Sequence, residues 1–178
     1  MPKTRTQVHK EEKVDEIVGA AERRLRAGGY DSLSVVAISR ELGLAQNAIY
    51  WYFPSKDHLF VAALERILRD IAARKPSRSK GAIERILWFT DQFAVLWRLK
   101  GAMAERAKRS PVVADFVESL DELLTGMLTN AFRERVRNQE LRLAVETFRS
   151  TIEGTFVKGL DRRERDRQLR FALARLWA

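Results

Sequence analysis

Cysteine is absent from the 178 residues. Its absence excludes disulfides, thiolate metal centres and cysteine nucleophiles, and it fits a reducing compartment. Histidine occurs only as His9 and His58, far apart in sequence. No paired metal-ligand spacing and no glycine-rich phosphate loop accompanies them, so no catalytic residue, metal ligand or cofactor is expected. Proline is scarce, with four residues. Strand signals are equally scarce, and no convincing period-two run occurs. No apolar run approaches the roughly 18 residues that span a bilayer, and no N-terminal segment resembles a signal peptide. The expected location is cytoplasmic, without a membrane partner.

What is present is apolar and basic. Hydrophobic residues make up 46% of the chain, enough for a core. The formal charge is +9 and the isoelectric point about 10.2, which points to an anionic partner, nucleic acid before membrane surface. The charge is unevenly spread. Through residue 60, nine Lys/Arg face eight Asp/Glu, leaving +8 for the remainder. Bulk charge therefore does not mark the N-terminal segment as a nucleic-acid binder. The Arg-rich C-terminal segment (Arg162, Arg163, Arg165, Arg167, Arg170, Arg175) is diluted by Asp161, Glu164 and Asp166, and reads as a solvated helix face rather than a membrane anchor.

Apolar residues recur at spacings of three and four. One stripe comprises Val14, Ile17, Val18, Ala21 and Leu25; a second Leu59, Phe60, Ala63, Leu64, Ile67 and Ile71. A third runs through Ile83, Ile86, Leu87, Thr90, Phe93, Ala94 and Trp97. This periodicity predicts an all-α chain. Gly28-Gly29 ends the first helix. Pro54-Ser55 precedes a helix over 56–74, and the polar linker 75–81 follows it. Ser110-Pro111 opens a helix, with proline at its first position, that ends near Asn138. Asp161 and Glu164 form a capping-box pattern for a terminal helix.

Between residues 34 and 53 the pattern sharpens. Ser34 caps a short helix over 35–42 with Val35, Ile38 and Leu42 facing inward and small Ser39 where another helix can approach. Gly43 supplies a tight turn, and a second short helix covers 45–51. Two short helices joined by a glycine turn make a helix-turn-helix, whose second helix enters a DNA major groove. Four consecutive aromatics follow, Tyr50, Trp51, Tyr52 and Phe53. Successive helical residues point about 100° apart, so one core cannot take them all. Ile49 and Phe53 share the buried face. Tyr50 and Trp51 point outward, which makes sense if DNA covers them.

The segment VDEIVGAAERRLRAGGYDSLSVVAISRELGLAQNAIYWYFPSKDHL resembles the DNA-binding domain of the tetracycline-repressor (TetR) family over roughly residues 10–64. The resemblance rests on Ile17 to Ala21, Gly29-Tyr30, Ser34-Val35, Ile38, Gly43 and, above all, Ile-Tyr-x-Tyr-Phe-x-x-Lys at residues 49–56. Ala45 departs from it, standing where the family usually has Ser or Thr, and so does Arg24, standing where an apolar residue is usual. Val36 and Ala37 replace polar residues and could meet the DNA backbone or a thymine methyl. The resemblance implies that Gln46, Asn47, Ala48 and Trp51 read bases, and that Ser34, Val35, Tyr50, Tyr52 and Lys56 lie at the DNA surface, mostly on phosphates. Gln and Asn pair with adenine edges, while Ala48 and Trp51 suit thymine methyls, so some A·T content is expected. The tail with Lys3, Arg5 and Lys10 is a further phosphate or minor-groove candidate, although an unspecific tail is the plainer reading. Tyr52 as packing and Lys56 as a solvated lysine are the plainer readings of those two.

The same resemblance implies two domains, a helix-turn-helix domain over 1–54 and a sensing and dimerisation domain over 55–178. The last helices, about 139–159 and 162–177, would pair with a second copy. Expected interface residues are Phe148, Ile152, Gly154, Phe156, Leu169, Leu173 and Leu176; building only the single chain's core is the alternative. Trp88, Asp91, Gln92, Phe93, Trp97, Met103, Phe116 and Met127 are candidate lining for an unidentified small-molecule effector, with plain core again the rival. The implied function is a ligand-responsive regulator, a repressor before an activator, acting as a homodimer on a palindromic double-stranded operator. A ligand-independent architectural DNA-binding protein is the alternative.

Overall fold

The computed structural model describes residues 5–77 and 79–177, and these form helices and turns without a strand. The helices are α1 (Arg5–Gly28), α2 (Val35–Glu41), α3 (Gln46–Tyr52), α4 (Lys56–Ala73), α5 (Ala82–Gln92), α6 (Ala94–Ala107), α7 (Pro111–Phe132), α8 (Leu141–Val157) and α9 (Arg162–Leu176), with a 3-10 turn at Tyr30–Ser32. The all-α reading of the periodicity holds. The chain packs as two units. The first runs to Ala73 and adds Arg98–Val117; the second comprises Arg74–Trp97 and the chain from Glu118 onward.

In the first unit α1 packs on α4. Ile17, Ala20, Ala21 and Leu25 are buried from one side, and Leu59, Phe60, Ala63, Leu64 and Ile67 from the other. Arg66 of α4 pins the pair by reaching Asp15 and, at 3.2 Å, Glu22 of α1. Gly29 ends α1 with φ of +70°, a left-handed conformation that favours glycine. Ser34 caps α2 by accepting the Ala37 N–H at 3.2 Å. Gly43, with φ of +64°, turns the chain into α3. The atypical Arg24 is accommodated by an ion pair: Arg24 and Arg23 both hold the Glu41 carboxylate, at 2.8 and 2.5 Å. The hydrogen bond from Arg23 is the main reason the Glu41 carboxyl lies below its ordinary range. Helix α1 is thereby tied to the end of α2, so helix-one packing is completed by charge rather than by an apolar side chain.

Helix α3 starts without a side-chain cap at Ala45. The Ala48 N–H turns back to the Ala45 carbonyl at 2.9 Å, but no side chain caps the N–H groups before it. Ala45→Ser is expected to raise stability by about 1 kcal/mol, seen as a higher urea midpoint at unchanged slope.

In the second unit, α9 packs on both α8 and α5. The core comprises Ile86, Leu87, Phe132, Ala144, Val145, Phe148, Ile152, Leu169 and Leu173. Phe132 lies 5.5 Å from Phe148 and 5.3 Å from Trp177, ring centre to ring centre. The capping box on α9 is complete, with Glu164 N–H donating to Asp161 at 2.9 Å and the Glu164 carboxylate accepting from the Asp161 N–H.

Two helix boundaries differ from the sequence expectation. The apolar stripe over 83–97 is not one helix, because it breaks at Phe93 between α5 and α6. Near that break Thr90 Oγ1 donates to the Ile86 carbonyl at 2.9 Å, a local bond of the kind that competes with the helical ladder. Helix α7 ends at Phe132, six residues before Asn138. Phe132 is anchored in the core, and the Arg135 and Val136 N–H groups both turn back to its carbonyl at 2.8 and 3.0 Å. No glycine or proline marks that stop.

Candidate nucleic-acid interface

Helix α3 has two unlike faces. Ile49 is fully buried, and Phe53 is buried one turn on. Gln46, Asn47, Tyr50 and Trp51 lie on the exposed side, and Trp51 is 88% exposed. An indole left in water is costly apolar area, and such exposure marks a surface meant to be covered. Ala48, Tyr52 and Lys56 are half-buried. Ser34 spends its hydroxyl on the α2 cap. The Val35 side chain is buried in the first unit, so any contact it makes with DNA falls to its backbone N–H. Val36 is exposed beside it. Lys3 lies outside the described residues, and Lys10 sits within α1 rather than in a free tail.

A polar cluster sits at the start of α4. Ser55 caps the helix, accepting the His58 N–H at 3.3 Å. Lys56 Nζ rests 4.1 Å above the Tyr30 ring, a cation–π contact. The Tyr30 hydroxyl donates to Asp57 Oδ1 at 2.8 Å. Arg106 Nε and Nη2 grip both oxygens of Asp57, at 3.0 and 2.6 Å. Asp57 is buried. Burial alone would raise its carboxyl, but hydrogen bonds from Arg106, Tyr30 and Ser110 outweigh it and hold the pKa below the usual range. Burial, the bond to Asp57 and the Asp57 charge push the Tyr30 phenol up to about 12.

A group whose folded pKa is raised contributes stability that is complete below its unfolded value and lost as pH rises through the folded one. For Tyr30 that window is about pH 10 to 12. Urea midpoints measured across it are expected to fall more steeply for the wild type than for Tyr30→Phe.

Sequence reasoning found Tyr30 only as part of a motif and missed Asp57 and Arg106. Arg106 is 49 residues from Asp57 and on another helix, so no local spacing reveals the pair.

The expected effector-lining residues divide between the units. Met103 and Phe116 are buried in the first; Trp88, Asp91, Gln92, Phe93, Trp97 and Met127 belong to the second. Trp97 stacks on Phe156 at 5.0 Å. Asp91 is engaged within the protein, accepting from buried Arg165 at 3.0 Å with Arg162 at 3.6 Å. Among the described residues no group of His, Asp and Glu could hold a metal ion, and no helix is long and apolar enough to cross a membrane.

The expected interface residues Phe148, Ile152, Leu169 and Leu173 are buried in the second unit's own core, so they face inward in the single chain. Phe156 and Leu176 pack at the edge of that core. Gly154 is half-buried, and a side chain built there would meet open space. The exposed apolar residues of α8 and α9 are different ones: Leu143 (66%), Val157 (79%) and Phe171 (64%). The apolar ridge picked from the sequence thus lies mostly in the chain's own core, the alternative that its periodicity left open.

Residues 17–63 match the family described as bacterial regulatory proteins, tetR family. The match is to the N-terminal quarter of the chain, the segment that carries the helix-turn-helix. The matched segment runs from within α1 to the middle of α4. The repressor KstR of Rhodococcus jostii is 30% identical over 89 residues, covering 49% of this chain and 42% of that protein. The chain thus spans less than half the length of that repressor. The nucleoid occlusion factor SlmA of Haemophilus ducreyi is 24% identical over 170 residues, covering 92% of this chain and 70% of that one. The fold of a transcriptional regulator from Saccharomonospora viridis, crystallised with choline, superposes with a TM-score of 0.74 at 18% identity, over 92% of this chain and 96% of that one.

Proposed function

We propose that this chain is a tetR-family regulator, a ligand-responsive transcriptional repressor that binds a palindromic operator as a homodimer in the cytoplasm and is released by a small molecule. The observation that carries the reading is the exposed face of α3, where Trp51 stands 88% in water beside Gln46, Asn47 and Tyr50. In this reading Gln46, Asn47, Ala48 and Trp51 meet base edges, and Ser34, the Val35 backbone, Tyr50, Tyr52 and Lys56 meet the phosphates. Residues 1–54 form the DNA-binding domain and 55–178 the sensing and dimerisation domain. The exposed faces of α8 and α9, with Leu143, Gly154, Val157 and Phe171, serve as the dimer surface, because a symmetric operator needs a symmetric reader. The regulator crystallised with choline supports a small-molecule effector of some kind. The effector acts only through its difference in affinity for the binding and non-binding forms, and full switching needs about 5 kcal/mol of that difference.

A second reading, DNA binding without an effector, draws on the likeness over most of the chain to a nucleoid occlusion factor. Selection of bound sequences from a random duplex library at physiological salt tests the first reading. A palindrome whose half-sites lie a helical turn or more apart supports it. Enrichment of no sequence by a folded protein that coats DNA favours the second.

A further inference from the structure

Asp57 poses an electrostatic problem for the proposed interface. It follows Lys56 directly and lies in the first turn of α4. The N-terminus of a helix favours anions, and a lysine there is well placed for a phosphate. A free carboxylate in the same turn would repel that phosphate and compete for the lysine ammonium. The two side chains also converge on one ring: Lys56 Nζ lies over the face of Tyr30, and Asp57 holds its hydroxyl.

The structure disposes of that carboxylate. Arg106 spans both oxygens with a two-pronged grip, and Tyr30 donates to one of them as well. Ser110, buried just before α7, further favours the charged form of the carboxyl. A carboxylate offers about four acceptor positions, so most of those of Asp57 are taken and its charge is balanced by Arg106. Tyr30 in turn is fixed by its hydroxyl at one end and by the edge of Phe60, 4.8 Å from its centre. Its face remains as a platform for Lys56.

We propose that Arg106, with Tyr30 and Asp57, is a positioning residue for DNA binding: it neutralises Asp57 and so keeps Lys56 on the Tyr30 ring, available to a phosphate. The inference rests on the helix-turn-helix reading above and assigns a DNA-binding role to a residue of α6, outside the matched segment. Arg106 touches no nucleotide. It acts through Asp57 on the charge beside Lys56.

The test uses the full-length chain and a labelled 30-base-pair duplex of mixed sequence, with anisotropy read from 50 to 200 mM salt. Lys56→Ala lowers affinity and flattens the salt slope by about one unit. Arg106→Met lowers affinity about tenfold with Lys56 present, and less than twofold in the Lys56→Ala background. Asp57→Asn added to Arg106→Met restores affinity to within about threefold of wild type, because the uncompensated charge is gone. Arg106→Lys keeps the charge but cannot span both oxygens; it loses about threefold and serves if Arg106→Met melts. Equal losses from Arg106→Met with and without Lys56, or no rescue by Asp57→Asn in folded protein, overturn the proposal. A folded wild type that binds no duplex at any of these salts overturns the helix-turn-helix reading itself.

Discussion

Replacing both Gln46 and Asn47 with alanine is expected to weaken binding to the selected operator by roughly 100-fold or more, while affinity for random duplex changes less than threefold. Both side chains are exposed at the start of α3 and serve no core. Each can form a two-bond pair with an adenine edge, and each good pair discriminates by about 1–3 kcal/mol. Two such pairs give the expected loss. Neither residue carries charge, so the sequence-independent phosphate term is left in place. Titration of the variant against both duplexes checks this, with melting curves to confirm an unchanged fold. Equal loss on both duplexes would move these residues from base reading to general backbone contact.

The second large effect separates the core of the second unit from its surface. Leu169 is fully buried against α5 and α8 residues of its own chain. Leu169→Ala is expected to cost about 2–5 kcal/mol of stability, seen as a lower urea midpoint. Val157→Asp and Phe171→Asp sit on the exposed faces and should leave that core intact. On the proposed dimer surface, they are instead expected to turn the dimer into a folded monomer in sedimentation. If a second copy covers these faces as proposed, an Asp at either site places an unpaired charge in a desolvated contact, which is strongly unfavourable. If Leu169→Ala left stability unchanged but split the dimer, the buried ridge would have to be reassigned to the partner surface.

The helix-turn-helix was legible because its rules are local. Ser34 as a cap, Gly43 as a turn, and Ile49 and Phe53 four apart on one face each follow from neighbours in sequence, and each is found in place. The surplus of aromatics at residues 50–53 could be read as exposure, and Trp51 is exposed. What was not legible depends on distant partners. The stripe over 83–97 keeps its period through the break at Phe93. The α7 stop at Phe132 is set by burial against Phe148 and Trp177, which no local residue announces. On α8 and α9, apolar periodicity identifies a buried face but does not say whether the chain itself or a second copy buries it. Arg24 shows the same limit from the polar side, since its partner Glu41 lies 17 residues away on α2.

The central claim is that α3 reads sequence, and its most direct measurement is a ratio. The affinity of the full-length protein for the selected duplex is compared with that for a scrambled duplex of equal length and composition, at 150 mM salt. Specific recognition typically gives a ratio of 10³ or more. The account predicts a ratio in that range for the wild type, collapsing when Gln46 and Asn47 are both alanine. A ratio near one for folded wild-type protein would contradict it, leaving the exposed face of α3 as a surface that holds DNA by its backbone alone.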